Sequence, residues 1–310
     1  MSLTLESRRA VLADVASAAM PLTFVFLWST GFIGAKLGLP HAGPFTFLSL
    51  RYLLAAALLL PFAILWHAPW PRSWADAGHI AVTGLLVNCG CLGACFYALS
   101  LGLPTAVVAL IGGLQPILTG VFAGALLRER VSTWQWLGLG LGFAGVLLVL
   151  SDRLSLGSAP PIAIAAAFMG LLAITAATLY QKRFCANVPL RSGALIQLTL
   201  SAAVMLPIAA MTEGVAVNWN GEFVFALVWL AVVLSLGALT LLWALVRKGA
   251  AAKVSSLFYL TPPTTAVMGW LVFDERFGAL ALLGMAVVVA GVALAARDTA
   301  QPAAVKTTPS

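Results

Sequence analysis

Nine stretches of this chain run for 20 residues or more without an Asp, Glu, Lys or Arg. They are Val15–Ala35, Tyr52–Pro71, Ala77–Leu127, Val131–Ser151, Leu154–Gln181, Ser192–Thr212, Phe223–Val246, Val254–Phe273 and Phe277–Ala296. In water such runs have no polar face to show the solvent. In a bilayer about 20 apolar residues make one helical crossing, with every backbone group bonded inside its own segment. The 51 residues of Ala77–Leu127 hold two crossings, divided at Ser100-Leu-Gly-Leu-Pro104, where Gly ends a helix and Pro begins one. The second run reaches back through Arg51 to about Pro44. The pattern predicts an all-α polytopic membrane protein with ten transmembrane helices. A soluble domain carries roughly 25% charged residues; here the figure is 9%, with a mean hydropathy of +1.03.

The net charge of +7 has no basic block, which argues against nucleic-acid binding and leaves orientation as its information. With the N-terminus in the cytoplasm, Arg8, Arg9, Arg72, Arg128, Arg130, Lys182, Arg183, Arg191, Arg247, Lys248, Lys253, Arg297 and Lys306 fall inside. Lys36, Arg51, Arg153 and Arg276 fall outside, and this bias places both termini in the cytoplasm of a bacterial inner membrane. Trp66, Trp70, Trp74, Trp134 and Trp136 lie near inner helix ends and Trp219 near an outer one, as interfacial belts require. Val15–Ala35 is too long for a signal-peptide core and reads as a retained first helix.

The chain also repeats itself. An offset of 146 carries Lys36 onto Lys182, Pro61 onto Pro207, Pro116 onto Pro262, Glu129-Arg130 onto Glu275-Arg276, Gly138 onto Gly284 and Gly145 onto Gly291. The register slips by two where Leu92-Gly93-Ala94 meets Leu236-Gly237-Ala238. Helices 1–5 thus repeat as helices 6–10, and because five is odd the second unit enters from the opposite side. Such inverted repeats suit alternation between two near-mirror states. The segments are a cytoplasmic stretch 1–14, a first repeat 15–151, a linker 152–161, a second repeat 162–296 and a disordered cytoplasmic tail 297–310.

Few residues can carry chemistry. Cys89, Cys91, Cys95 and Cys185 read as small packing residues, and His41, His67 and His79 form no metal-spaced pair. Buried acid pairs, a Ser/His set and a phosphate-binding loop are missing, so neither an enzyme nor ATP use is indicated, and no cofactor is expected. Glu129 and Glu275, each beside an Arg, read as local ion pairs or caps of short turns. No Asp or Glu lies near the middle of a crossing, which argues against simple carboxylate coupling to protons. Lys36 ends helix 1, and Arg51 lies roughly 10 Å into helix 2. Both could snorkel to headgroups or serve an outer gate, and Arg51 could meet a substrate carboxylate. Trp28, Ser29, Thr30, Asn88, Tyr97, Gln115, Tyr180, Trp243, Ser256, Tyr259 and Thr261 are the candidates for a central cavity. Asn88 and Gln115 could equally join helices, and the aromatic residues could face lipid. Gln115-Pro116 and Thr261-Pro262-Pro263 predict kinks or hinges at matched mid-membrane positions. Gly34/Gly38, Gly120/Gly124 and Gly138/Gly142 permit close helix approach, and Gly138/Gly145 with Gly284/Gly291 in helices 5 and 10 read as packing supports of a monomer or as a weak homodimer interface.

Trp28-Ser29-Thr30-Gly31-Phe32-Ile33-Gly34-Ala35-Lys36, Pro44 and Leu50-Arg51-Tyr52-Leu53-Leu54 resemble the opening of the EamA family of the drug/metabolite transporter superfamily. The duplicated Pro and Glu-Arg positions resemble its two signature halves, and the likeness spans about residues 18–296. Ser29 and Thr30 depart from the Gly and Asn that members often carry. The resemblance implies ten helices in two inverted five-helix repeats. It also implies secondary transport by alternating access, with export of amino acids, aromatic or otherwise apolar, or of related small metabolites. A broad drug or metabolite exporter of another substrate class and a non-transporting membrane scaffold are the alternatives.

Overall fold

A computed structural model of the chain describes residues 5–65, 70–71, 73–127, 132–155, 160–185, 190–238 and 260–296. Those residues form helices joined by short turns. Helix α1 is Leu5–Gly38 and α2 is Pro44–Leu65. Helix α3, Trp74–Ser100, changes from α- to π-helical winding over Leu85–Leu92 and back again. Helices α4 (Thr105–Gly112) and α5 (Gln115–Leu127) are two halves of one broken crossing. Helix α6 (Thr133–Ser155), α7 (Pro161–Phe184), α8 (Leu190–Thr212), α9 (Gly221–Val228, continuing as a π-helix over Trp229–Ala238), α10 (Thr261–Phe273) and α11 (Ala279–Ala296) complete the bundle.

Local chemistry sets the helix ends. Ser132 and Gln135 form a reciprocal capping box at α6: the Ser132 amide donates to Gln135 Oε1 (2.9 Å) and the Gln135 amide to Ser132 Oγ (3.2 Å). Asn220 Oδ1 accepts from the Phe223 amide at the start of α9 (2.8 Å). The break foreseen at Ser100–Pro104 is present. Gly102 adopts φ +89°, a conformation open to glycine, and the Leu103 amide turns back to the Ala98 carbonyl (3.1 Å).

Seven helices among the described residues are long and apolar enough to cross a bilayer, and Gly221–Ser235 and Ala279–Leu294 are shorter apolar helices. The sequence expectation was ten; residues 239–259, which bear on two of those ten, lie outside the described set. The architecture is that of a polytopic helical membrane protein.

The duplication is written into the element boundaries. Helices α8, α10 and α11 begin 146 residues after α2, α5 and α6, and the π-helical segments begin at Leu85 and Trp229, 144 apart. The packing follows the same equivalence. Helix α6 lies along α11 and α2 along α8, while α1 touches α9 and α10 just as α7 touches α3 and α5. The partners also run in opposite senses. The C-terminal end of α1 lies with the start of α4, whereas the C-terminal end of α7 lies with the start of α3.

Without water between helices, close packing and hydrogen bonds must hold the bundle. The α6–α11 pair shows how. A Cβ placed on Gly284 would lie 2.6 Å from the Gly145 carbonyl oxygen, and one on Gly291 would lie 2.8 Å from that of Gly138. These glycines, open in sequence to an intermolecular role, face one another within the chain. At one end the turns are sewn together. Glu213 accepts from the Phe45 and Thr46 amides (2.9 and 2.8 Å) and so caps α2 from across the bundle. His41 meets Glu222 (3.1 Å) and Asn220, and Ala42 pairs with Val217 in an isolated bridge. At the opposite end His79 Nδ1 and Tyr180 Oη lie 2.8 Å apart, and the His79 ring stacks on Phe184. Trp70, Trp74, Trp134, Trp136 and Trp219 are exposed, as interfacial tryptophans are. Trp66 lies outside the described residues.

Gly284→Leu is expected to lower the unfolding temperature in detergent, because overpacking costs about 1–3 kcal/mol. Gly140→Leu, whose Cβ would meet nothing within 4 Å, is expected to leave it unchanged. Equal effects would mean that the glycine contact does not hold α6 to α11.

Candidate functional site

The break between α4 and α5 meets the start of α10. Pro116 and Pro262 each occupy the first turn of a helix, α5 and α10, and Pro263 follows in α10. There the missing N–H is no loss, because first-turn amides lack a helical partner. The kinks expected from these prolines are therefore helix starts among the described residues: Gly113-Leu114 separates α5 from α4, and α10 follows Leu260. A Cβ on Gly113 would lie 3.3 Å from Pro262 Cγ, so the α4–α5 break packs directly on the first turn of α10.

Polar groups collect at these starts in matched positions. Gln115 Nε2 donates to Thr178 Oγ1 of α7 (2.9 Å). At the equivalent position 261, the Thr261 carbonyl lies 3.5 Å from Ser29 Oγ of α1, a long contact. One turn further on, the hydroxyls of Thr119 and Thr265 are buried with no hydrogen-bond partner, as is that of Thr261. Thr119 and Thr265 are 146 apart; neither was singled out from composition or spacing, although the repeat offset relates them. An unpartnered hydroxyl is costly in a bilayer interior. Three such hydroxyls lie within the first five residues of α5 and α10.

Around this centre the other candidates divide. Asn88 is buried and donates to Ser201 Oγ (3.0 Å) while its carbonyl accepts from Tyr52 Oη (2.8 Å), tying α3 to α8 and α2. Thr30 Oγ1 donates to the Leu27 carbonyl and accepts from Trp229 Nε1 (2.9 Å), docking α9 on α1. Trp28 packs on Phe24. Tyr97 stacks on Phe45 and lines a cavity of about 310 Å³ with Cys89, Gly93, Ala166 and Met169. Tyr180 sits towards the end of α7 with His79 and Phe184, away from the breaks. Trp243, Ser256 and Tyr259 lie outside the described residues, as do Glu129 and Arg130. The four cysteines are free, and no group of His, Cys, Asp or Glu able to hold a metal occurs among the described residues.

Two charges are placed differently from the sequence reading. Glu275 does not pair with its neighbour. Arg276 Nε donates to Asp274 (3.0 Å), whose hydrogen bond and charge raise the exposed guanidinium pKa above its ordinary value. Asp274 turns the chain at φ +51°, and Glu275 folds inward to become buried. Its Oε1 accepts from Lys36 Nζ (2.7 Å) and the Thr105 amide (2.9 Å), and its Oε2 from Thr105 Oγ1 (2.9 Å). One carboxylate thus closes the end of α1, the start of α4 and the α10–α11 turn together. Gly269 leaves the room: a Cβ there would fall 2.8 Å from Thr105 Oγ1. Lys36, a candidate for snorkelling or a gate, spends its charge on this carboxylate and lies over the Phe273 ring, 4.7 Å from its centroid. Arg51 lies between α2 and α9, buried, with Nη2 3.5 Å from Ser235 Oγ.

Apolar helices that match across an internal repeat, with equivalent helix starts at Gln115 and Thr261 and buried polar groups beside them, fit a membrane protein of the transporter class. The chain belongs to the EamA-like transporter family, whose model matches residues 16–151 and again 161–297. It is 28% identical over 296 residues to the uncharacterized transporter YvbV of Bacillus subtilis, covering 92% of this chain and 94% of that one. It is 25% identical to the uncharacterized inner membrane transporter YedA of Escherichia coli, over 86% of each chain. A shorter match, 26% identical over 44% of this chain and 43% of the other, is to a probable amino-acid metabolite efflux pump of Salmonella typhimurium. A solved crystal structure aligns with a TM-score of 0.64 at 20% identity, covering 93% of this chain and 99% of its own, a likeness of fold.

Glu275→Ala is expected to destabilise the chain by about 1–3 kcal/mol, since it strands the Thr105 amide and hydroxyl. Glu275→Gln, which keeps an acceptor, is expected to lose less. Lys36→Ala is also expected to lose less, because the Lys36 side chain is 27% exposed. Thermal unfolding of the purified variants measures the order. If Lys36→Ala is the most damaging of the three, the ion pair rather than the cap holds this end.

Proposed function

We propose that this chain is a secondary transporter that exports amino acids, aromatic or otherwise apolar, or related small metabolites by alternating access. Its working unit is ten helices arranged as two inverted five-helix repeats, 15–151 and 162–296, with both termini in the cytoplasm of a bacterial inner membrane. The observation that carries the reading is the meeting, at Gly113 and Pro262, of two repeat-equivalent helix starts, with Gln115, Thr119, Thr261 and Thr265 on the same two helices. Interrupted helices at matched positions are where transporters of this architecture hold substrate. The opposed senses of α1 and α7 support the inversion, and the name of the Salmonella typhimurium relative supports the substrate class. In this reading Trp28, Ser29, Tyr97, Trp243, Ser256 and Tyr259 contribute to the cavity, and Pro116, Pro262 and Pro263 let the half-helices pivot. Lys36, with Glu275 and Thr105, latches the outer end. Uncharged polar groups at the centre favour facilitated export over proton coupling.

Efflux of labelled amino acids from proteoliposomes tests the reading. Release of phenylalanine, leucine or their relatives at equal rates with and without a proton gradient is the expected outcome. A strict requirement for the gradient would sink facilitation, and no release of any amino acid would sink the substrate class. Topology has its own test. Cysteines replacing Asp152 or Trp219 are expected to react with an impermeant reagent outside intact cells, and one replacing Arg128 is not. The reverse pattern would invert the orientation.

A further inference from the structure

Among the described residues Arg51 has no counter-charge. It sits in the span of α2, only 6% exposed, with Nε lacking any hydrogen-bond partner and Nη2 making one long contact to Ser235. Ser235 cannot neutralise it. Its hydroxyl donates to the Leu230 carbonyl five residues back (3.0 Å), through the π-helical winding of α9, and offers the guanidinium a lone pair at most. The acidic residues described at that end of the bundle are engaged elsewhere. Glu213 caps α2, Glu222 faces His41, Asp274 holds Arg276 and Glu275 holds Lys36 and Thr105. Among the described residues none forms an ion pair with Arg51. A guanidinium stays charged in proteins, and a buried unpaired charge in a membrane is costly.

The fold does not demand that charge. The repeat partner of Arg51 is Gln197 in α8, a neutral residue packed against α3, where a Cβ on Gly84 would fall 2.6 Å from its Cγ. The same architectural position is filled once by an amide and once by a cation. The difference is thus a property of one half, beyond what building either half requires.

We infer that Arg51 is the receptor for a carboxylate on the transported molecule, and that Ser235 orients the guanidinium to receive it. The inference rests on the exporter reading and narrows its substrate class to molecules bearing a carboxylate. Two coplanar N–H groups, Nε and one Nη, match the two oxygens of a carboxylate. A substrate amine finds no described carboxylate in that part of the bundle and meets uncharged polar groups instead. Separation of α2 from α9 uncovers the guanidinium, and the arriving anion supplies the charge that the resting protein lacks.

Two measurements on the full chain test this. Thermal unfolding in detergent is followed with acetate, butyrate, phenylacetate, phenylalanine and the corresponding amides, for the wild type, Arg51→Gln and Arg51→Lys. Acids are expected to raise the wild-type midpoint and amides not to. Arg51→Gln, which installs the residue of the mirror position, is expected to abolish the shift, and Arg51→Lys to keep part of it. In proteoliposomes the wild type is expected to release phenylalanine about ten- to hundredfold faster than phenylalaninamide, the weight of a charge-assisted hydrogen bond, and Arg51→Gln to lose that preference. If no amino acid is released yet acids still stabilise through Arg51, the amino-acid reading fails and the anion site stands. Acids without effect on the wild type, or a shift that Arg51→Gln retains, overturn the inference. Should Arg51→Gln fail to fold, equal handling of acid and amide by the wild type overturns it as well.

Discussion

A bilayer offers no water to an unpaired amide or carbonyl, and most of this structure follows from that fact. Each crossing must satisfy its backbone internally, so the chain is helical wherever it is apolar, and departures from helix need another source of partners. The departures here occur in equivalent pairs. Winding loosens to π-helical at Leu85 and again at Trp229, and α5 and α10 both start afresh on a proline. At each new start, side chains from a neighbouring helix approach the polar groups of the break: Thr178 for Gln115 and Ser29 for the Thr261 carbonyl. The irregular places are therefore the polar places, and in a membrane these are where a soluble molecule can be held.

The bundle is held together in two ways by the same logic. Helices α6 and α11 are locked backbone to backbone through Gly145, Gly284, Gly138 and Gly291, with few polar groups between them. The end of α1, the start of α4 and the α10–α11 turn are joined through hydrogen bonds and one ion pair, where Glu275 gathers Lys36 and Thr105. Charged hydrogen bonds at the membrane edge can exchange for water when an end opens. Interlocked glycine faces in lipid have no such substitute. Apolar contacts thus hold one side of the bundle, and polar ones close the end that Glu275 occupies.

Much of this was legible before any coordinates. The charge-free runs, the offset of 146 and the Gly102 break each follow from helix length, twofold duplication or backbone sterics, and all are local or periodic signals. The partners of the charges were not legible. Glu275 stands beside Arg276 in sequence, so a local pair was the natural reading, yet the left-handed turn at Asp274 sends the carboxylate inward to residues 239 and 170 positions away. Thr119 and Thr265 were passed over because a threonine in an apolar run has no distinguishing pattern. Only the offset relates them, and only the packing shows that both lack a partner.

The sequence by itself determined that the chain is membrane-embedded, helical and duplicated, because hydropathy, charge spacing and internal identity are properties of the linear order. Tertiary structure decided which glycines close on one another, which carboxylate caps which helix, and that Arg51 is buried without a counter-charge among the described residues. Those facts depend on helices brought together from both halves of the chain, and burial and pairing exist only once the crossings have packed.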